Sequence, residues 1–229
     1  MDIGVCVASH VNDIGYVVKA EELGYTHAWL ADSQMLWSDC YATLALAAHQ
    51  TSTIKLGTGV AVSGTRPAPV NAAGIATINA LAPGRTFFGV GSGNTARRVM
   101  GLPPQKIKEF EEYLQTLIPL IKGEEGEIRN GDQMIPIKHV MPDKGFVNFE
   151  DPVPVYISGF GPRSLGLAGQ YGDGAVVAST LPGGIQGAWD MVQKGAQHAG
   201  REISPDTGYY TTALTTMVVL DEGEQVSCY

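Results

Sequence analysis

This sequence predicts a layered α/β fold built on a parallel sheet. Three observations carry the prediction. Strand-length apolar runs alternate with helix-period segments almost from end to end, the runs lack polar alternation, and many of the 29 glycines fall just after them. Strands that are apolar throughout are buried on both faces, and when each is followed by a helix they imply a parallel sheet covered by helices.

The elements follow in order. Asp2–Ala8 is the first strand, and Asn12 is placed to cap a helix whose apolar stripe is Ile14, Val17, Val18, Ala20 and Leu23, stopped by Gly24. Ala28–Ala31 is the second strand, followed by a helix over Tyr41–His49. Ile54–Val62 is the third, with an alanine-rich helix over Pro69–Leu81 closed by Pro83-Gly84. Thr86–Val90 is the fourth, and Ile107–Ile121 is a helix with Phe110, Leu114, Leu117, Ile118 and Ile121 on one side. The polar, turn-rich stretch Gly123–Asp151 interrupts the alternation, and Asn130-Gly131 marks a hairpin within it. Alternation resumes with strand Val153–Ser158, helix Arg163–Tyr171, strand Gly174–Ala178, helix Ile185–Ala199 and strand Thr207–Leu220.

The 229 residues suit one large domain, residues 1–229, carrying an insertion around 123–151. Both a doubly wound sheet and a (β/α)₈ barrel fit the pattern. A barrel needs eight strands and typically about 250 residues, and here the pattern ends after the seventh strand.

Composition narrows the function. With 44% hydrophobic residues there is ample material for a core, which excludes a disordered chain. Fifteen basic against 23 acidic residues, net −8, argue against nucleic acid and anionic membranes as partners. No run of apolar residues is long enough to span a bilayer, and the start Met1-Asp2-Ile3-Gly4 lacks the basic residues of an export signal. Cys6, Cys40 and Cys228 have no paired spacing; they read as reduced cytoplasmic thiols, with neither a disulfide frame nor a metal site. Cys6, inside strand one, reads as packing.

Four glycine-rich turns fall at C-terminal strand ends, where parallel α/β folds bind ligands: Leu56–Val60, Gly89–Asn94, Ser158–Arg163 and Tyr171–Gly174. Gly89–Gly93 lacks the spacing and the downstream acidic residue of a dinucleotide site. Ser158-Gly159-Phe160-Gly161-Pro162-Arg163 is more informative. Its glycines let backbone approach a ligand, Pro162 suits a first helical turn, and Arg163 adds charge, so the segment is either a phosphate cradle or a tight turn with a solvated arginine.

Taken together, I54-K-L-G-T-G-V60, R66-P, I75-A-T-I-N-A-L-A-P-G-R85, G89-V-G-S-G-N94, I157-S-G-F-G-P-R-S-L165 and L167-A-G-Q-Y-G-D-G-A-V-V177 are similar to the luciferase-like monooxygenase superfamily. The branch that the chain resembles contains the deazaflavin-dependent methylene-tetrahydromethanopterin reductases. The resemblance covers nearly the whole chain. It implies a (β/α)₈ TIM-type barrel, here truncated after strand seven, that binds flavin mononucleotide (FMN) or the deazaflavin coenzyme F-420. It also implies a homodimer, and a non-prolyl cis peptide behind the ring at Gly59–Val60. The chain carries Ser33 after Asp32 where deazaflavin-dependent members often have histidine. Cys6 and Asn94 stand where the reductases have glutamate and aspartate, so the resemblance does not extend to the methanopterin substrate.

Candidate site residues follow from placement and resemblance. Asp32 ends strand two at the ligand face and His10 follows strand one there, the latter able to exchange a proton near neutrality; these are the candidate catalytic groups. Gly59 and Val60, then Ser92, Gly93 and Asn94, are expected along the ring and its ribityl chain. Gly159, Phe160, Gly161, Pro162 and Arg163, with Ser179 and Thr180, are expected at the phosphate. Arg66 is either a ligand-facing charge or a surface arginine. The expected activity is hydride transfer or monooxygenation on a small organic substrate, because a bound ring carries the electron chemistry and explains why no nucleophile triad or metal set is visible. A non-catalytic ring-binding protein and a redox-free phosphate-binding barrel remain the alternatives.

Overall fold

The computed structural model describes residues 1–181 and 183–215. The elements are β1 (Gly4–Val7), α1 (Gly15–Glu22), β2 (His27–Leu30), α2 (Cys40–Gln50), β3 (Lys55–Val62), α3 (Ala68–Leu81), β4 (Thr86–Gly91), α4 (Asn94–Val99) and α5 (Ile107–Ile121). They continue with β5 (Gly126–Asn130), β6 (Gln133–Ile137), β7 (Val155–Ser158), α6 (Pro162–Tyr171), β8 (Gly174–Ala178), α7 (Gly184–His198) and β9 (Tyr210–Leu214).

Seven strands form one sheet in the order β1-β2-β3-β4-β7-β8-β9, all neighbours parallel. Strand order never reverses, so the switch point that defines a doubly wound sheet is absent from it. The sheet winds one way, as in a TIM-type barrel, and it curls. The Tyr210 hydroxyl on β9 donates to Asp2 Oδ2 at 3.1 Å, just before β1, and the Tyr210 ring stacks on His27 of β2 at 5.4 Å. Among the described residues no ladder joins β9 to β1.

The insertion forms the hairpin β5–β6, whose register pairs Asn130 with Gln133. Its tight turn is therefore Gly131-Asp132, one residue later than the Asn-Gly pair suggests, with Gly131 at φ 62°. Thr116 of α5 donates to the Glu127 carbonyl, and Asn148 brackets α3 through Ala76 and Asn79, so the insertion is stitched to the outer helices.

Three boundaries differ from expectation. The cap position of α1 is Ile14, because Asn12 and Asp13 are drawn into a turn in which their amides donate to the ring and the carbonyl of His10. Helix α4 begins at Asn94, the last residue of the expected glycine-rich turn, in a stretch to which the sequence pattern assigns no element; its six residues are too few for a periodic signal. Among the described residues the last strand is Tyr210–Leu214, preceded by a 3₁₀ turn at Pro205–Thr207; the part of the expected Thr207–Leu220 strand from residue 216 on lies outside the described residues, as does Cys228.

The core has two parts. Between sheet and helices lie Leu30, Leu44, Leu56, Ile75, Phe88, Leu114 and their neighbours. Inside the curl, Trp29, Phe87, Tyr156 and Val176 pack together with Tyr210 against them. Strand alternation separates the two sets: Trp29, Phe87 and Tyr156 point inward while Leu30, Phe88 and Ile157 point to the helices. Outside, α6 and α7 touch backbone to backbone. A methyl group on Gly195 would strike Gly166, and one on Gly169 would strike the Val192 carbonyl.

Candidate functional site

Above the inner aromatic layer, towards the C-terminal strand ends, the inward positions become small. A methyl group on Gly59 would lie 2.6 Å from Trp29 Cβ, and one on Gly89 would stand 3.0 Å from the Trp29 ring and 3.2 Å from Val60 Cγ1. One on Gly91 would stand 3.1 Å from Val60 Cγ2 and 3.4 Å from Ser158 Cβ. Gly59 and Gly89 thus lie directly over Trp29, and Gly91, Val60 and Ser158 form the next interior layer. Ala178 joins it by alternation from Val176. The Gly59–Val60 peptide is cis, and the register of β3 against β4 shifts between Thr58 and Ala61. The inward face of β3 and β4 over Trp29 is thus nearly free of side chains.

Cys6 faces inward and is exposed, its thiol 3.8 Å from the Gly59 carbonyl. It was expected to pack in the core. Alternation places it on the inward face of a strand whose interior is open.

Asp32 is buried, at 4% exposure, and fully engaged. Oδ1 accepts from Gln34 Nε2 and Arg66 Nη1, both at 2.6 Å; Oδ2 accepts from Arg66 Nη1 at 2.5 Å and from the Val62 amide at 3.2 Å. Two donors on each oxygen leave no free lone pair for acid or base work. This revises the expectation of Asp32 as a catalytic group: it holds the β3–α3 turn against β2. Arg66 is neither ligand-facing nor solvated. Its Nη2 donates to Asp39 at 2.7 Å, its guanidinium lies 5.3 Å from the Tyr41 ring centroid, and the two carboxylates outweigh desolvation to raise its pKa. Asp39 in turn caps α2 by accepting from the Tyr41 and Ala42 amides.

The rim is tied together by further polar links. Arg97 donates to the Gly64 and Pro103 carbonyls, and Ser63 donates its hydroxyl to Gln105 Oε1 at 2.5 Å and its amide to the Gly91 carbonyl. Ser38 donates its amide to the Ser9 carbonyl, joining the β2 and β1 loops. Ser92 and Asn94 are exposed on this rim, with Gly93 between them at φ 70°, packed on Val62. His10 is exposed beside a cavity of about 320 Å³ lined by Val7, Ala8, Asp13 and Tyr16; among the described residues no bond joins it to Asp32.

The Ser158–Arg163 segment turns from β7 into α6 as expected, with Pro162 opening the helix. Its amides are arranged differently from the expected cradle. Gly159 donates to the Val176 carbonyl and Gly161 to Ser164 Oγ, both at 3.3 Å, so neither is free for an anion. The first helical bond runs from Leu165 to Gly161, which leaves the amides of Arg163 and Ser164 at the helix start as its donors. Gly159 is required by packing, since a Cβ there would stand 2.7 Å from Ser164 Oγ; Gly161 has open space and an extended backbone. Phe160 and Arg163 are exposed, as are Ser179 and Thr180 after the neighbouring β8.

The structure therefore places Gly59 and Val60 in β3, residues 92–94 after β4, the α6 start after β7 and residues 179–180 after β8, at the C-terminal ends of neighbouring parallel strands. Gly89, Gly91 and Ser158 complete the inward face; period-two alternation from Phe87 and Tyr156 marks them as inward positions. Among the described residues no cluster of potential metal ligands is present, and no helix is long and apolar enough to cross a membrane.

The family model described as luciferase-like monooxygenase matches residues 11–226. The chain is 32% identical to a 5,10-methylenetetrahydromethanopterin reductase of Methanolobus tindarius, over 82% of this chain and 56% of that protein. It is 31% identical to the enzyme of the same name from Methanopyrus kandleri, over 86% of this chain and 61% of that protein. The solved coenzyme F-420-dependent tetrahydromethanopterin reductase from Methanopyrus kandleri superposes with a TM-score of 0.74 at 26% identity, covering 93% of this chain and 65% of that one. The oxygenating constituent of 3,6-diketocamphane monooxygenase from Pseudomonas putida, solved with FMN, shares the fold, with a TM-score of 0.71 at 17% identity over 92% of this chain and 66% of that one. The chain thus spans less than two thirds of the length of these relatives.

Proposed function

Because the chain belongs to the luciferase-like monooxygenase family, we propose that the concavity formed by the inner face of its curled sheet, over Trp29, binds a flavin-type ring, FMN or coenzyme F-420, and that the protein is an oxidoreductase acting on a small organic substrate. The observation that carries this reading is the change of layer inside the curl. Bulky rings fill the interior below, and above them the inward positions are the small residues Gly59, Gly89, Gly91, Ser158 and Ala178, a surface that suits a planar tricyclic ring laid over it. A bound ring of this type supplies the hydride or oxygen chemistry itself.

The chain's own residues bind and orient. Gly59 and Val60 back the ring, Ser92, Gly93 and Asn94 hold its edge or ribityl chain, and the Arg163 and Ser164 amides with the Arg163 guanidinium take the phosphate, helped by the Ser179 and Thr180 hydroxyls. Asp32 positions the β3 turn through Arg66. His10 exchanges the proton at the rim, where its Nδ1 accepts from the Asn12 amide and Nε2 remains free to act. The protein works as a homodimer in the cytoplasm on this reading. Exposed Leu46, Val70 and Leu81 on the adjacent helices α2 and α3 support the first point, and the free thiols of Cys6 and Cys40 the second.

The test is an absorption spectrum of protein purified from a host that makes both cofactors, followed by titration of stripped protein with each. Saturable binding of one of them is expected. Failure of both to bind, with phosphate sugars binding instead, would replace this reading by a redox-free phosphate-binding barrel.

A further inference from the structure

Three oxidisable rings run in sequence from the concavity to the surface. Trp29 lies directly beneath Gly59 and Gly89. Its ring centroid is 5.8 Å from that of Tyr156, which stacks on Tyr210 at 5.2 Å and an interplanar angle of 26°. Phe87 fills the angle between Trp29 and Tyr156, at 4.3 and 5.5 Å, so no water-filled gap separates them. Trp29 and Tyr156 are each 6% exposed, whereas Tyr210 is only partly buried and its hydroxyl donates to the exposed carboxylate of Asp2.

We infer that Trp29, Tyr156 and Tyr210 conduct an electron hole from the cofactor concavity to the protein surface, where Asp2 takes the phenolic proton, so that one-electron damage is drained from the site. The physiological use rests on the proposed ring binding; the path itself does not.

The chemistry fixes the direction. An oxidised tyrosine is stable only after losing its proton. Among the described residues Tyr156 has no hydrogen-bond acceptor for its hydroxyl, and burial, then Tyr210, push its pKa up. Tyr210 has the Asp2 carboxylate within hydrogen-bond reach. Tyr156 therefore bridges Trp29 and Tyr210 electronically without holding the hole itself, and Tyr210 is the end point. A light-excited flavin ring, if bound there, would be the oxidant and would gain the electron that Trp29 loses. Tyr210 refills Trp29 through Tyr156, and its proton passes to Asp2. One electron and one proton leave Tyr210, and both are accounted for.

The path can be tested without a bound ring. In a Trp37→Phe/Trp189→Phe background Trp29 is the remaining tryptophan of the three, and an ultraviolet pulse ionises it directly. Transient absorption should show the tryptophan radical converting to a tyrosyl radical. Tyr210→Phe should abolish that conversion, and Asp2→Asn, which keeps every ring, should slow it and remove its solvent isotope effect. A tyrosyl signal that persists in Tyr210→Phe, or a rate unchanged in Asp2→Asn, would overturn the path. In a second arm, protein loaded with FMN is excited in the visible; Trp29→Phe should lengthen the fluorescence lifetime of the bound ring, and an unchanged lifetime overturns the inference. Absence of FMN binding counts against the ring reading alone, because the ultraviolet arm still decides the path.

Discussion

Arg66 holds Asp32 with one guanidinium nitrogen and Asp39 with the other, and so joins the turn after β3 to both ends of the loop between β2 and α2. Asp32 is nearly inaccessible, while Asp39 is exposed. The two bonds are therefore unequal. Removing the cation leaves a buried carboxylate without its partner, and the full desolvation cost then falls on the folded state. Arg66→Met should destabilise the protein by about 3–5 kcal/mol, whereas Asp39→Ala should cost about 1 kcal/mol, mostly through the lost α2 cap. Urea denaturation of both variants and of Asp32→Asn/Arg66→Met checks this. The double variant should recover part of the loss, since the buried charge is gone.

The α6 start makes a contrast between its two glycines. Gly161→Ala meets open space and an extended backbone, so it should leave both stability and ligand binding close to wild type. Gly159→Ala forces a Cβ against Ser164 and the Leu165 amide, and should shift the helix start and weaken cofactor binding. Fluorescence titration with FMN reads both, with thermal melting as the control for folding.

Arg163 supplies the specific test of the phosphate. It makes no hydrogen bond or ion pair among the described residues, so its removal costs the fold nothing that the structure shows. A charge-assisted bond to phosphate is worth about 1.5–3 kcal/mol, or one to two decades of affinity. Arg163→Ala should weaken FMN binding by about that much and leave riboflavin, which lacks the phosphate, unaffected. Equal losses for the two ligands would mean that the segment is only a turn.

Much of this was legible in the sequence because it depends on local rules. Apolar runs such as Ile54–Val62 and Thr86–Val90 announce buried strands, and helix periodicity marked α5 within its observed bounds. The direction of winding was not legible, because spacing alone fits a doubly wound sheet equally well; only family motifs selected the barrel. The roles of Asp32 and Arg66 were hidden for a related reason. They lie 34 positions apart, and pairing across adjacent strand ends depends on register, which a single sequence does not fix. Gly159 and Gly161 look alike in the chain and differ only in what stands beside them once α6 is docked.

Arg85 shows how a family-like motif can be structural. Its two terminal nitrogens donate to the Ala48, Thr51 and Ile54 carbonyls and to the Thr51 hydroxyl, at 2.7–3.1 Å, which closes the C-terminal end of α2 and ties it to β3. Arg85→Met should lower stability by about 2–3 kcal/mol, since it strands part-buried carbonyls and removes a cation from a helix C-terminus. Arg85→Lys should recover less than half, because one ammonium does not span four acceptors. Chemical denaturation with unchanged FMN affinity would separate this from a role in the site.

Glu21, on α1, gives the fold a defined acid response. Its Oε1 accepts from the amides of Ser52, Thr53 and Ile54 and from the Thr53 hydroxyl, at 2.6–2.9 Å. Desolvation acts to raise its pKa, but these bonds win and hold it at about 2, against an ordinary value of 4.5. A carboxyl whose pKa is lower in the folded state stabilises the fold above its unfolded pKa. The contribution is therefore complete above about pH 4.5 and is lost as pH falls from there towards about 2. The site is partly open to water, so its size is about 1–2 kcal/mol. Glu21→Gln should cost about that much near neutral pH and progressively less in acid, where the wild-type carboxylate also becomes protonated. Urea unfolding of the two proteins at about pH 7 and about pH 3 measures the difference. A gap that stays constant across this range would mean that Glu21 contributes through packing alone.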